Sequence, residues 1–165
     1  MNQCPNDNIG TGAPSFKTTR EMLALAEKMH RKLKCHYADV AQKAAQPDVA
    51  MLLDYLSRKE ATFQSMLAGY RRQAPDAVLD TYFQFTQTEY RSMEKWITWQ
   101  PDAGVGIPDI LAAVLELDSC TQAFYHRAAE MAQIPEVRKM FTNLAEAVAA
   151  KKRDAALNTA LMKDV

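Results

Sequence analysis

The sequence predicts an all-α protein, an up-down four-helix bundle built from two copies of one helical hairpin. Long segments of the 165-residue chain repeat apolar residues at steps of three and four, the spacing of one helix face. No segment combines apolar–polar alternation with β-branched enrichment, so no strands are expected. The chain also matches itself when it is shifted by 88 residues, so that Tyr37 falls on Tyr125.

The first hairpin is expected over residues 18–72. Residues 1–17 are polar and rich in Asn, Gly and Pro, and they are interpreted as a flexible tail. Thr18 followed by Glu21 fits a capping box, which predicts the start of the first helix. Pro47 fits the first turn of the second helix, where its missing N–H costs nothing.

A long connection leads to the second hairpin. Residues 76–99 predict an extra helix in this crossover, and the Pro- and Gly-containing residues 100–108 predict a loop. The second hairpin is expected over residues 109–161, with Pro135 at its turn. Together these elements form one predicted domain, residues 18–165.

The internal repeat is the strongest evidence for the duplicated hairpin. Alanine matches are common between helices, but matched Tyr, Pro and Leu residues at one fixed offset are not. Two such hairpins joined by a long connection give a bundle with a crossover. The matched pairs are Leu23/Leu111, Ala24/Ala112, Tyr37/Tyr125, Ala41/Ala129, Ala44/Ala132, Pro47/Pro135, Val49/Val137, Leu56/Leu144, Ala61/Ala149 and Ala68/Ala156.

The composition excludes several classes of protein. A formal net charge of zero argues against a nucleic-acid binder, and 48% hydrophobic residues argue against a disordered chain. No apolar run is long enough to span a bilayer, and the N-terminus lacks the apolar centre of a signal peptide. Cys4, Cys35 and Cys120 are odd in number and form no CxxC motif, which favours reduced thiols and a cytoplasmic location.

The repeat resembles the hairpins of the ferritin-like, rubrerythrin-type superfamily. Those hairpins carry a Glu two turns before a Tyr, then a Pro-acidic-apolar turn, then Glu-x-x-His on the second helix. The resemblance covers about residues 20–70 and 108–158. It implies a ferritin-like fold, in which inward carboxylates and imidazoles would hold two iron ions. The matching features are Tyr37 with Pro47, Tyr125 with Pro135, and residues 110–118.

The resemblance also implies six ligand positions, most of which carry other residues here. Only Glu60 is retained, Asp118 is a shortened carboxylate, and His30 is a ligand of a different type. Such a set has too few anionic oxygens for two irons. The six positions hold His30, Glu60, Phe63, Asp118, Val148 and Lys151.

Two uses of these residues stay open. His30, Glu60 and Asp118 could hold a single iron or manganese ion as a two-carboxylate, one-histidine set. Alternatively, the ammonium of Lys151 replaces the metal's charge by pairing with Glu60, Asp118 or both, and Phe63 and Val148 fill the remaining space. A competing interpretation leaves Lys151 as a solvated lysine near the end of its helix.

Other residues carry weaker expectations. Tyr37 and Tyr125 are expected to be buried, hydrogen-bonded tyrosines that line the centre together with Phe63 and Val148. A small apolar ligand could occupy a pocket lined by Phe63, Val148 and Tyr37. His36 and His126 are expected at the surface.

The crossover suggests how the protein acts. It is rich in aromatic residues, and Phe85, Trp96 and Trp99 do not all fit one helix face, which predicts an association surface unless the 100–108 loop covers it. The expected function is a non-catalytic ferritin-like module that acts as a homodimer or by binding a helical partner, in a stress- or redox-related role. No cofactor is expected. The alternative is an iron- or manganese-dependent oxidoreductase of rubrerythrin type with an atypical site.

Overall fold

Four long helices form two helical hairpins that enclose one apolar core. The computed structural model describes residues 15–85 and 88–163. The hairpin helices are α1 (Thr19–Lys43) with α2 (Pro47–Gln73), and α5 (Ile107–Met131) with α6 (Pro135–Lys163). The other elements are β1 (Ser15–Thr18), α3 (Asp76–Leu79), β2 (Tyr82–Phe85) and α4 (Thr88–Ile97). The all-α bundle of two hairpins predicted from the sequence is confirmed.

The helix starts follow the sequence signals. The Thr18 hydroxyl accepts a hydrogen bond from the backbone N–H of Glu21 at 3.1 Å, and the Glu21 carboxylate accepts one from the backbone N–H of Thr18 at 2.7 Å. This reciprocal pair is the predicted capping box. Pro47 and Pro135 each open the second helix of a hairpin.

The core lies where the apolar stripes of the two hairpins meet. Since the loops at residues 44–46 and 132–134 are short, the helices within each hairpin run antiparallel and pack side by side. Their large buried side chains interdigitate around the bundle axis. Among them are Leu23, Met29, Leu33, Leu53, Leu56, Leu67, Ile110, Tyr125 and Phe141.

The crossover differs from the predicted continuous helix of residues 76–99. It does carry an extra helix, α4, which packs against α5. Before α4, however, the chain forms the short helix α3 and the strand β2, which pairs antiparallel with β1. Phe83 is buried whereas Tyr82 is 67% exposed, so this aromatic run alternates as a strand does.

The expectation of no strands is therefore wrong. The last residues of the predicted tail belong to β1, and residues 1–14 lie outside the described chain. Among the helices of the described residues, none has the length and apolarity needed to cross a membrane.

Candidate functional site

Each long helix contributes one ionisable side chain to the centre of the bundle. His30 comes from α1, Glu60 from α2, Asp118 from α5 and Lys151 from α6. All four residues are 5% exposed or less. Burying such groups without partners would cost several kcal/mol, so their mutual contacts determine whether the centre is stable.

Lys151 links the two carboxylates. Its ammonium donates to Oε1 of Glu60 and, at 2.8 Å, to Oδ1 of Asp118. The Nζ atom also lies 5.8 Å from the ring centroid of Phe63, within the range of a cation–π contact. The side chain is 4% exposed, so Lys151 is a buried, paired lysine and not a solvated one.

His30 extends this network in the opposite direction. Its Nδ1 lies 2.6 Å from Oε2 of Glu60, and its Nε2 lies 2.7 Å from the hydroxyl of Tyr125. The imidazole also stacks on Phe63, with ring centroids 4.9 Å apart. An ionised Glu60 can only accept, so Nδ1 carries a hydrogen, and in a neutral ring Nε2 then accepts from Tyr125.

The two carboxylates respond differently to the same lysine. Burial works to raise the pKa of Glu60, but the Lys151 ammonium and the His30 hydrogen bond outweigh it and hold that pKa at about 2. Burial raises the pKa of Asp118 and prevails there, because Lys151 offsets it only in part and the charge of Glu60 adds to it. Burial works against the charge of Lys151, yet the two carboxylates raise its pKa above the ordinary value.

Two polar atoms of this centre have no hydrogen-bond partner among the described residues. They are Oδ2 of Asp118 and the hydroxyl of Tyr37. Burial raises the pKa of Tyr37 far above its usual range, so the hydroxyl keeps its proton. The expectation of a hydrogen-bonded core tyrosine therefore fits Tyr125, whereas Tyr37 is buried without such a partner in the described chain.

Phe63 and Val148 are buried, and the Phe63 ring contacts both His30 and Lys151. His36 was expected at the surface, but it is buried next to Trp99, and burial lowers its pKa. The sequence holds no local signal for this, because Trp99 belongs to the distant crossover. His126 is exposed, as expected.

The predicted association residues are only partly accessible. Trp96 and Trp99 pack against the core with their rings edge to face at 6.0 Å, and the side chain of Phe85 lies outside the described part of the structure. A small cavity beside Trp96 and Trp99 is lined by Tyr37 but not by Phe63 or Val148, unlike the predicted apolar pocket. The large apolar side chains that are exposed in the described chain are Phe16, Met51, Tyr82 and Leu157.

The cysteines differ from the expectation of three reduced thiols. Cys120 is free and partly buried, whereas Cys35 is disulfide-bonded. Cys4 lies outside the described residues. The cytoplasmic location was inferred from unpaired thiols and stays a prediction.

Within the described residues, no group of three or more His, Cys, Asp or Glu side chains is arranged to hold a metal ion. His30, Glu60 and Asp118 converge on one centre, but Lys151 binds both carboxylates there. Both nitrogens of His30 are also engaged in hydrogen bonds.

Comparison with solved structures shows that the fold is ferritin-like. The chain superposes with a TM-score of 0.59 on a Thermotoga maritima protein provisionally classed as a ferritin-like diiron-carboxylate protein. The match covers 87% of this chain and 95% of that one, at 8% sequence identity. At this identity the similarity concerns the fold alone. No family model and no curated protein matches the sequence.

Proposed function

We propose that this chain is a non-catalytic ferritin-like module in which Lys151 takes the place of a metal at the bundle centre, and that it acts by association. One observation carries the proposal. The ammonium of Lys151 binds both Glu60 and Asp118 at the point where the four helices converge. A single positive charge thereby offsets the two acidic side chains, which is the electrostatic role that a cation would have there.

The residues at the centre do not fit a pair of iron ions. A di-iron site needs several carboxylate oxygens and open ligand nitrogens. Glu60 and Asp118 are the buried acidic residues in the described chain, and both already accept hydrogen bonds from Lys151. Phe63 and Val148 contribute no ligand atoms and fill space with apolar groups.

A single-metal oxidoreductase is the second candidate. The observation that favours it is that His30, Glu60 and Asp118, a set with two carboxylates and one imidazole, reach the same centre from three helices. For a metal to bind them, Lys151 would have to leave both carboxylates. Its positive charge would otherwise repel the cation.

Metal content separates the two candidates. The full chain would be expressed in medium supplemented with iron and manganese, purified without chelators and analysed by inductively coupled plasma mass spectrometry. We expect no stoichiometric iron or manganese. One equivalent of either metal that disappears in Glu60→Ala but persists in the surface variant Glu116→Ala would favour the oxidoreductase and overturn the proposal.

Association is supported by the outer face of the β1–β2 ribbon. Phe16 and Tyr82 are 73% and 67% exposed. Phe16 pairs with Gln84 and Thr18 pairs with Tyr82, so the two aromatic side chains lie on the same face. Adjacent exposed aromatic residues indicate an interaction surface, whereas single exposed apolar residues scattered over a protein do not.

Sedimentation velocity tests self-association. We expect a concentration-dependent dimer that shifts to monomer in Phe16→Ser/Tyr82→Ser and persists in Met51→Ser, a matched change of an exposed apolar residue on α2. A wild-type chain that stays monomeric up to high concentration would rule out self-association.

A further inference from the structure

The two cysteines of the described residues are in different chemical states. Cys35 lies on α1, is partly exposed and is disulfide-bonded. Cys120 lies on α5 and is a free thiol. Because a disulfide joins two sulfur atoms, Cys35 has a partner that is not Cys120.

The count of cysteines identifies that partner. The chain contains three cysteines, Cys4, Cys35 and Cys120. Since Cys120 is free, Cys4 is the cysteine of the same chain that is left to bond Cys35. Cys4 itself lies outside the described residues, so its identification follows from the sequence and from the states of the other two cysteines.

The chain between the two cysteines is long enough for this bond. Cys35 comes sixteen positions after Thr19, the first residue of α1, which places it about 24 Å farther along the helix axis. Fifteen positions separate Cys4 from Thr19, and an extended chain of that length spans about 50 Å. The chain before α1 can therefore reach Cys35 without any change in the helix.

The surroundings of Cys35 favour exchange of the bond. Its side chain is partly exposed, so a small thiol can approach the sulfur. Arg31 and Lys32 precede Cys35 by about one helical turn and lie on the same side of α1. Their positive charges favour a thiolate, the form of cysteine that makes and breaks disulfides.

We propose that Cys35 and Cys4 form a redox-responsive disulfide that links the N-terminal part of the chain to α1. The bond closes a loop from residue 4 to residue 35, which contains β1 and the capping box of α1. A disulfide restricts the unfolded chain, so the oxidised protein is more stable than the reduced one. The link does not depend on association of the chain.

A small disulfide, for which oxidised glutathione is the probe, supplies the oxidant. The thiolate of Cys35 attacks one sulfur of glutathione disulfide, and the S–S bond breaks to release one glutathione thiolate. The thiolate of Cys4 then attacks the Cys35 sulfur of the mixed disulfide and displaces the second glutathione. Two cysteine thiols are oxidised, one glutathione disulfide is reduced to two glutathione molecules, and the two cysteine protons pass to them. Excess reduced glutathione reverses both steps.

Peptide mapping tests the connection. The full chain would be treated with oxidised glutathione, quenched in acid, alkylated with N-ethylmaleimide under denaturing conditions and digested with trypsin without reductant. We expect mass spectrometry to find residues 1–17 linked to residues 35–43, and Cys120 alkylated within residues 96–127. The proposal is overturned if Cys35 is alkylated, is linked to Cys120 or is linked to a second copy of the chain.

Equilibration with glutathione tests the redox response. The wild type and Cys120→Ser, the matched control, would be mapped after incubation in mixtures of reduced and oxidised glutathione. The linked fraction should fall from nearly complete to nearly zero as the share of reduced glutathione rises, equally in both proteins. A linked fraction that is the same at every ratio would contradict a redox-responsive bond.

Thermal unfolding measures the effect of the bond on the fold. Reduction should lower the Tm of the wild type and of Cys120→Ser by about 10 °C, the effect of opening a loop of this size. It should leave the Tm of Cys35→Ser unchanged, with circular dichroism used to show that this variant is folded. An equal decrease in Cys35→Ser and the wild type would show that the stabilisation does not come from this disulfide, and would contradict the proposal.

Discussion

At the scale of single residues, Glu60 and Asp118 show how burial, neighbouring charges and hydrogen bonds together set the pKa of a buried carboxylate. Both bind the same ammonium. Glu60 has a second donor in His30, whereas Oδ2 of Asp118 has none among the described residues. Each hydrogen bond to the ionised form favours that form, and burial opposes it. The same lysine therefore keeps Glu60 ionised but leaves the pKa of Asp118 raised.

This difference predicts opposite pH dependences. The folded-state pKa of Glu60, about 2, lies below its ordinary value of 4.5, so its stabilisation is present above pH 4.5 and is lost as the pH falls toward 2. The pKa of Asp118 is raised above 3.8, so its stabilisation is present below pH 3.8 and is lost as the pH rises through the raised pKa. The free energy of unfolding of Glu60→Gln should therefore fall less steeply in acid than that of the wild type. The free energy of unfolding of Asp118→Asn should rise relative to that of the wild type as the pH increases.

Urea unfolding between pH 2 and pH 8 would measure both effects. At pH 7, Glu60→Gln is expected to lose about 3 kcal/mol, because the buried Lys151 loses its ionised partner. Asp118→Asn is expected to lose about 1.5–3 kcal/mol, the range for a hydrogen bond to a charged group. If the unfolding free energies of the two variants changed with pH in parallel, this would contradict a lowered pKa for Glu60 and a raised pKa for Asp118.

The sequence could identify these residues because its hairpins resemble those of the ferritin-like superfamily. That resemblance implies ligand positions at fixed distances from Tyr37, Tyr125 and the turn prolines, and His30, Glu60, Asp118 and Lys151 are among them. The sequence could not show which partner each atom binds. Those bonds depend on side-chain rotamers at the contact between the hairpins, which spacing along a helix does not determine.

At the scale of elements, local sequence signals predict the boundaries of the long helices but do not predict the strand of the crossover. Prolines, a capping box and apolar periodicity mark the helices, and each signal lies within a few residues of the boundary it sets. β1 and β2 each have only four residues, and they stabilise each other across more than 60 residues of intervening chain. A strand this short has no periodicity of its own, so its partner decides its conformation.

The capping box of α1 gives a prediction at this scale. Thr18→Ala removes the hydroxyl that accepts from the Glu21 N–H, and it should cost about 1 kcal/mol of unfolding free energy. The matched control is Thr62→Ala on the exposed face of α2, where the hydroxyl bonds only to the preceding turn of its own helix. Chemical unfolding followed by circular dichroism measures both. Equal stability of the two variants would indicate that the cap does not contribute.

At the scale of the whole molecule, the charged cluster joins the two hairpins. His30 and Glu60 belong to the first hairpin, and Asp118 and Lys151 belong to the second. Two contacts cross between the hairpins, Lys151 with Glu60 and His30 with Tyr125, and two lie within one hairpin, His30 with Glu60 and Lys151 with Asp118. The ammonium of Lys151 lies between the carboxylates of Glu60 and Asp118 and so links a side chain of each hairpin at the bundle centre.

Lys151→Met tests the dependence of the fold on this cluster. Removing the ammonium leaves two buried carboxylates without their shared counter-charge, so a loss of about 3–5 kcal/mol is expected at pH 7. Lys152→Met is the control, since its neighbouring ammonium bonds only to neutral side chains of α5. It should change stability by less than about 0.5 kcal/mol.

The most direct test is whether neutralising the carboxylates restores the stability that Lys151→Met removes. The triple variant Glu60→Gln/Asp118→Asn/Lys151→Met keeps the shapes of the side chains but contains no buried charge among these three positions. If Lys151 acts as the counter-charge, equilibrium unfolding at pH 7 should find the triple variant more stable than Lys151→Met by more than half of the lost free energy. A triple variant no more stable than Lys151→Met would show that the lysine contributes through packing, and that the charge at the centre of the bundle has a different role.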